Sequence, residues 1–181
     1  MSTAQILFET PRLIARPLAA SDAADLRRIV VDPSVGPMLL FFSPDFSHED
    51  AQAFIARAAF TGRLPLRLAL VLKEGDGRMI GSVGAINDDP VVVAYFLDPD
   101  HAGQGLATEA MRGFCRWLFA TFDAGELTAD AFTDNPASDH ILRKIGFERG
   151  GTAMGTSAAR LEPAPVYLYR LAKARFESLT Q

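Results

Sequence analysis

Between residues 66 and 122 the hydrophobic pattern changes period once, and that change constrains the fold more than any other feature of the chain. Up to Leu97 the apolar residues come in short runs: "LRLALVLK" (66–73), "RMIGSVGAIN" (78–87) and "VVVAYFLD" (91–98). The turn-forming stretches "EGDG" and "DDP" separate them, so they read as three strands of a meander. From Leu106 onward Leu106, Ala110, Met111, Phe114, Leu118 and Phe122 recur every three or four residues, which is the buried face of one long helix. The join, "FLDPDHAGQGLATEAM" (96–111), carries Gly103 and Gly105 and almost no side-chain bulk.

The remaining elements follow from local signals. "RLIARPL" (12–18) alternates as a strand, and Ser21 with Asp22 is expected to cap a helix that Pro33 stops. Ser47 and Asp50 form a capping-box pair ahead of Ala51, Phe54, Ile55 and Ala58 at helical spacing. "ELTADAF" reads as a strand, "NPASDHILRKIGF" as a helix ending at Gly146, and "PVYLYRLAK" as the closing strand. The small-residue stretch "ERGGTAMGTSAARLEPA" shows no periodic element. The layout is an α/β sandwich with a mixed sheet, expected as one domain over 1–181. At 49% hydrophobic residues, the chain can bury a single core.

Several function classes are disfavoured. No apolar run approaches the ~20 residues that span a bilayer. The N-terminal "MSTAQILFETPRL" lacks the basic start, apolar core and cleavage site of a secretory leader, so a cytoplasmic setting is expected. The single cysteine, Cys115, excludes an internal disulfide, and its place in the apolar helical pattern suits a buried thiol. His48, His101 and His140 lie in separate segments without metal-motif spacing, so no metal site is expected. With 22 acidic and 18 basic side chains the net charge is −4, and the scattered basic residues argue against nucleic-acid binding.

The glycine join admits more than one reading. A helix start leaves N–H groups without intrahelical partners and carries roughly half a positive charge, so "AGQGLAT" can cradle an oxygen-rich anion such as a pyrophosphate. The Walker pattern is absent because no lysine follows Gly105. The dinucleotide fingerprint misses only its last small residue, at Thr108, but it belongs to a parallel βαβ series rather than to the end of a meander. Two glycines between a strand and a helix also serve as a simple tight turn.

The joint order of "FETPRLIARPLAASDAADL", "YFLDPDHAGQGLATEAM" and "NPASDHILRKIGFERGG" resembles the GCN5-related N-acetyltransferases, and within them the ribosomal-protein N-terminal acetyltransferase branch. The resemblance covers nearly the whole chain. It implies a mixed, mostly antiparallel sheet splayed at the cofactor site, with acetyl-CoA as co-substrate and a primary amine as acceptor. That amine is a peptide or protein N-terminus or a small molecule, and a homodimer is left open. The family's acyl-CoA pattern falls on Ala102-Gly103-Gln104-Gly105-Leu106-Ala107, with Ala102 departing at its first position and Thr108 following. Leu97 matches the strand residue that faces the pantetheine arm. Asn135 and Ser138 match the family's N-x-x-S beside the thioester, and both also suit a helix cap.

Two departures touch the chemistry. Many relatives carry a glutamate on the central strand to remove the amine proton, and that region here is Val91-Val92-Val93. Many also carry a tyrosine shortly before Gly146-Phe147 to protonate the leaving thiolate, and this chain has Leu142. Ser138 is then the nearest candidate to stabilise or relay a proton to the sulfur. Deprotonating a lysine-type amine at pH 7 costs ~4.6 kcal/mol, against only ~1 kcal/mol for an α-amine. Without the usual base, an α-amine is therefore the expected acceptor. A catalytically silent acyl-CoA-binding or sensing module is the alternative. Asp88, Asp89, Asp98 and Asp100 are candidates to attract a cationic acceptor or are solvated turn residues. Tyr95 and one of Tyr167 and Tyr169 are candidates to line the acceptor pocket, with packing as the competing role, and His101 is a candidate base near neutral pH or a surface loop histidine.

Overall fold

The computed structural model describes residues 5–180. The first four residues of the expected leaderless N-terminus, and both ends of the expected 1–181 domain, lie outside the described residues. Eight strands are present among the described residues: β1 (Phe8–Glu9), β2 (Leu13–Pro17), β3 (Leu66–Leu72), β4 (Met79–Ala85), β5 (Val91–Leu97), β6 (Glu126–Phe132), β7 (Glu148–Gly155) and β8 (Ala164–Ala172). They form one sheet in the order β1-β2-β3-β4-β5-β6-β8-β7, and every pair is antiparallel except β5 with β6. Five α-helices cover it: α1 (Ala23–Val30), α2 (His48–Arg57), α3 (Leu106–Thr121), α4 (Pro136–Ile145) and α5 (Lys173–Leu179).

The pattern of burial explains which helix lies where. Along β3 every residue but the last is buried, because the sheet is covered on both faces. On one face Leu68, Leu70, Val83 and Val93 meet Met111, Phe114 and Leu118 of α3, Leu142 of α4 and Phe176 of α5. On the other, Ala69, Met79 and Phe96 meet Leu26 and Ile29 of α1 and Ala51 and Ile55 of α2. Each fully buried Leu, Met or Phe contributes about 1.5–3 kcal/mol of transfer free energy, so α3 is anchored mainly by this face. Cys115 belongs to it: the side chain is fully buried and burial pushes its thiol up to about 12, which makes it an inert packing residue.

Three local features differ from the sequence reading. The stretch left without an element supplies β7, whose residues are almost all exposed on the sheet edge, so no alternating pattern marks it. A short C-terminal helix, α5, follows the last strand. The start of α1 is not capped by Ser21 or Asp22 side chains. Asp22 instead accepts the Ala19 N–H at 2.8 Å and the Arg16 guanidinium at 2.7 and 2.8 Å. The expected box at α2 is present, with Asp50 N–H donating to Ser47 Oγ at 3.0 Å and Ser47 N–H to Asp50 Oδ2 at 2.9 Å.

Candidate functional site

The parallel pair β5–β6 sets the geometry of the site. Its ladder holds only Val91 opposite Leu127 and Val92 opposite Thr128. Beyond these pairs the strands diverge, and the facing edge of β5 from Val93 to Leu97 has no strand partner. A cavity of about 610 Å³ lies there, lined by both diverging strands, the α3 N-terminus, the α4 N-terminus and residues 34–35 and 38–40 of the α1–α2 connection. Of the residues singled out from the sequence, Leu97, Ala102, Gly103, Gly105, Leu106, Ala107, Thr108, Asn135 and Ser138 all line it. Gln104 does not, and its carbonyl accepts Arg12 Nη1 at 3.0 Å.

The glycines carry the loop. Gly103 has φ +73° and Gly105, the residue immediately before α3, has φ +76°. Both lie in the left-handed region, where a Cβ crowds the following carbonyl. Gly105 and the first residues of the 16-residue helix, Leu106 to Thr108, line the cavity. Two carboxylates, the buried Asp98 and the half-buried Glu109, fix the loop from behind. Asp98 accepts the Asp100 N–H at 3.1 Å and Arg28 Nη2 at 2.5 Å, and Arg28 and Arg78 both pair with Asp25. Glu109 accepts Thr10 Oγ1 at 2.6 Å, Arg12 N at 2.8 Å and Arg12 Nε at 2.7 Å.

The Arg28 hydrogen bond holds the Asp98 carboxyl below the ordinary range, outweighing burial. Burial alone would raise Glu109, but the hydrogen bonds from Thr10 and Arg12 bring it below its usual value. A carboxyl depressed in the folded state contributes stability that is complete above its unfolded pKa, about 4, and is lost as pH falls through the folded value. The melting temperature is therefore expected to fall below about pH 4. Asp98→Asn is expected to lower it at neutral pH and to flatten that acid branch, which differential scanning fluorimetry across pH 3–7 reads directly.

Sequence reasoning overlooked the partner of Ser138. Tyr95 Oη lies 2.9 Å from Ser138 Oγ, and Asn135 Oδ1 accepts the Ser138 N–H at 3.1 Å. Burial pushes the Tyr95 phenol up to about 12, against the opposing effect of the Ser138 contact, so it is neutral and able to donate at working pH. Strand alternation held the signal: Tyr95 shares its β5 face with Val91 and Val93, the face that packs toward α3 and α4. Tyr95 thus lines the cavity from β5, beside the start of α4. Tyr167 and Tyr169 also lie on the helix-covered face and do not line the cavity; Tyr169 donates to Asp139 at 2.8 Å. His101 lines the cavity at the loop, its Nδ1 buried without a hydrogen-bond partner and 3.8 Å from Asp98 Oδ2. Of the four aspartates, Asp98 is buried and paired, whereas Asp88, Asp89 and Asp100 are exposed.

The opposite mouth of the splay is largely apolar. Val35, Leu39 and Leu40 approach Ala94 and Phe96, and Arg160 clasps the wall. Its guanidinium donates to Pro37 O at 2.7 Å and to both Asp134 carboxylate oxygens at 2.8 and 2.9 Å, over the Phe132 ring. Asp130 of β6 is the other acidic residue lining the cavity.

Comparison with known proteins gives a consistent result. The model of the acetyltransferase (GNAT) domain matches residues 12–148. An uncharacterized N-acetyltransferase p20 of Bacillus licheniformis is 24% identical over 173 residues, covering 92% of this chain and 96% of that protein. The crystal structure of a GNAT-family acetyltransferase from Bacillus anthracis superposes with a TM-score of 0.78 at 18% identity, covering 92% of this chain and 98% of that one. RimL, a ribosomal α-N-protein acetyltransferase solved in complex with coenzyme A, gives a TM-score of 0.76 at 16% identity, covering 93% and 98%. No helix among the described residues is long and apolar enough to cross a membrane.

Proposed function

The chain belongs to the GNAT acetyltransferase family, and from that premise we propose that it transfers the acetyl group of acetyl-CoA to a primary amine by direct attack, with a peptide α-amine as the preferred acceptor. The observation that carries this reading is the two-residue β5–β6 ladder, which leaves an unpaired strand edge beside a cavity that also receives the α3 N-terminus. Residues 1–181 act in this reading as a single acetyltransferase domain.

Acetyl-CoA supplies an activated acetyl thioester. The N–H groups from Ala102 to Thr108 hold its pyrophosphate, because the left-handed glycines leave the backbone bare and the helix start favours an anion. Gln104 contributes through its backbone and the Arg12 contact that fixes the loop. The free edge of β5 around Leu97 offers backbone donors and acceptors to the pantetheine amides. Asn135 orients the turn that presents Ser138, whose hydroxyl stabilises the departing sulfur with Tyr95 behind it.

The preference for an α-amine rests on acidity. Val92 occupies the strand position beside the splay where a base would be expected, and an α-amine requires the least help to lose its proton. The naming of RimL as an α-N-protein acetyltransferase is in keeping with this choice. Thiol release from acetyl-CoA on addition of a short peptide with a free N-terminus tests the function, with the same peptide Nα-blocked as control. Turnover with the free peptide alone is expected. Acetyl-CoA binding without thiol release across peptides, polyamines and aminoglycosides would favour a silent acyl-CoA module.

A further inference from the structure

The cavity holds one carboxylate that the preceding account leaves without a task, and we propose that Asp130 is the general base that takes the proton of the acceptor ammonium. The proposal rests on the transferase reading above and adds to it the catalytic group that Val91-Val92-Val93 fail to supply.

Three observations converge on this residue. The first is its face. Leu127, Ala129 and Ala131 of β6 are buried against the α3–α4 side, so Thr128 and Asp130 project to the opposite side of the sheet. The second is its register. Val92 pairs with Thr128 in a parallel ladder, and two residues further along each strand Ala94 and Asp130 face one another across the opening. Asp130 therefore stands just beyond the Val92 position, on the mouth of the splay opposite the Tyr95–Ser138 pair. The third is its isolation. Asp134, the other carboxylate lining the cavity, is occupied by Arg160 at both oxygens. Asp130 is exposed and lines the cavity, with no ion-pair partner among the described residues.

Its surroundings suit a base. On β8 the directly opposed residue is the uncharged Leu168, with Arg170 further along the same face opposite Thr128. Residues 34–40 contribute no charged side chain, and neither does β5. The remaining titratable groups around the cavity are Tyr95 on β5, His101 at the glycine loop, and His140 and Lys144 on α4. The surrounding cavity wall partly desolvates the Asp130 carboxyl, although the side chain keeps contact with solvent, and this raises it above the ordinary range, with only its own backbone acting in the other direction. A carboxylate so raised is better matched to an amine proton than a solvated one.

The step balances without a further reactant. One N–H proton of the acceptor ammonium passes to an Asp130 oxygen, and the freed lone pair forms the N–C bond at the thioester carbon. The C–S bond breaks, its electron pair stays on sulfur, and the Ser138 hydroxyl, resupplied by Tyr95, provides the proton there. The attacking nitrogen gives up its second N–H proton to water as the amide forms, and water returns one proton to Tyr95, so the net release is the one proton held by Asp130.

The test compares wild type, Asp130→Asn and Asp130→Glu with an Ala-Ala-Ala peptide between pH 5.5 and 9.5. Asp130→Asn is expected to lower kcat at pH 7 about 100-fold or more, the usual effect of losing a positioned base. The acetyl-CoA Kd should stay within about twofold, since the donor side is untouched. The deficit should shrink as pH passes the amine pKa, where solution supplies the free base, and Asp130→Glu should restore part of the rate. Because its folded pKa is raised, ionised Asp130 lowers stability above that pKa and ceases to do so as pH falls below it. Asp130→Asn is thus also expected to raise the neutral-pH melting temperature, which a misfolded variant would not do. Superimposable pH–rate profiles for wild type and Asp130→Asn, or acetyl-CoA binding with no peptide turnover in either, overturns the assignment. Failure of wild type to bind acetyl-CoA instead contradicts the transferase reading itself.

Discussion

Replacing Gly105 by valine is expected to weaken acetyl-CoA binding at least about 30-fold while leaving the fold intact. A β-branched residue at φ +76° carries about 2 kcal/mol of strain, and each 1.4 kcal/mol is a factor of ten in affinity. The variant escapes that strain by leaving the left-handed region, which turns the first N–H groups of α3 away from the cavity. Binding must then take the strain back, so only a minor fraction of molecules is competent. The nearest atom to a Cβ at this position is Arg12 Nη2 at 3.7 Å, so the substitution creates no clash in the core. Calorimetric titration with acetyl-CoA reads the Kd, and a melting temperature within a few degrees of wild type shows the fold is kept. An unchanged Kd would show that the glycine backbone is not part of the donor site.

The second large effect concerns the leaving sulfur. Ser138→Ala and Tyr95→Phe are each expected to lower kcat about 10- to 100-fold, the lower part of the range for acid–base groups, because a serine hydroxyl is a weak acid. Residues that act as one unit do not add, so the double variant should be no more than about threefold worse than the more damaged single variant. The 2.9 Å contact between the two hydroxyl oxygens is what makes them one unit. Fully multiplicative losses would mean that Tyr95 acts elsewhere, by packing or on the acceptor. The KM for acetyl-CoA should change little in any of the three, since the pyrophosphate loop is untouched.

The parts of this molecule that were legible in advance are those in which one residue type answers one local requirement. The change of period at the glycine join located β5, the loop and α3, because alternation and helical spacing are each set by a covered face. Ser47 with Asp50 announced α2 for the same reason: the pair satisfies the N–H groups of a helix start. The overlooked parts depend on contacts between distant segments. β7 has exposed side chains and is held by its β8 ladder, which leaves no periodic trace. Asp22 resembles a cap but is claimed by Arg16, six residues earlier. At the site, the proposed donor half could be named because its assigned work falls to backbone, and only glycine leaves backbone bare. The side-chain contributions could not. Tyr95 meets Ser138 across 43 positions, and Asp130 has meaning only once the parallel register with β5 is known.

These two halves lie on opposite sides of the same opening, and the chemistry joins them. In the proposed reading the α3 N-terminus and the free β5 edge hold the thioester from the α3–α4 side. The same reading has Asp130 and the apolar mouth around Leu39 and Phe96, which line the other side, receive the amine. The central claim, that this splay passes an acetyl group to an α-amine, is tested most directly with one peptide that carries both a free N-terminus and one lysine. Mass-spectrometric fragmentation after incubation with enzyme and acetyl-CoA at pH 7 locates the added group. The account predicts a single acetyl group on the N-terminal nitrogen, whereas equal or greater modification of the lysine ε-nitrogen, or an unmodified peptide, would contradict it.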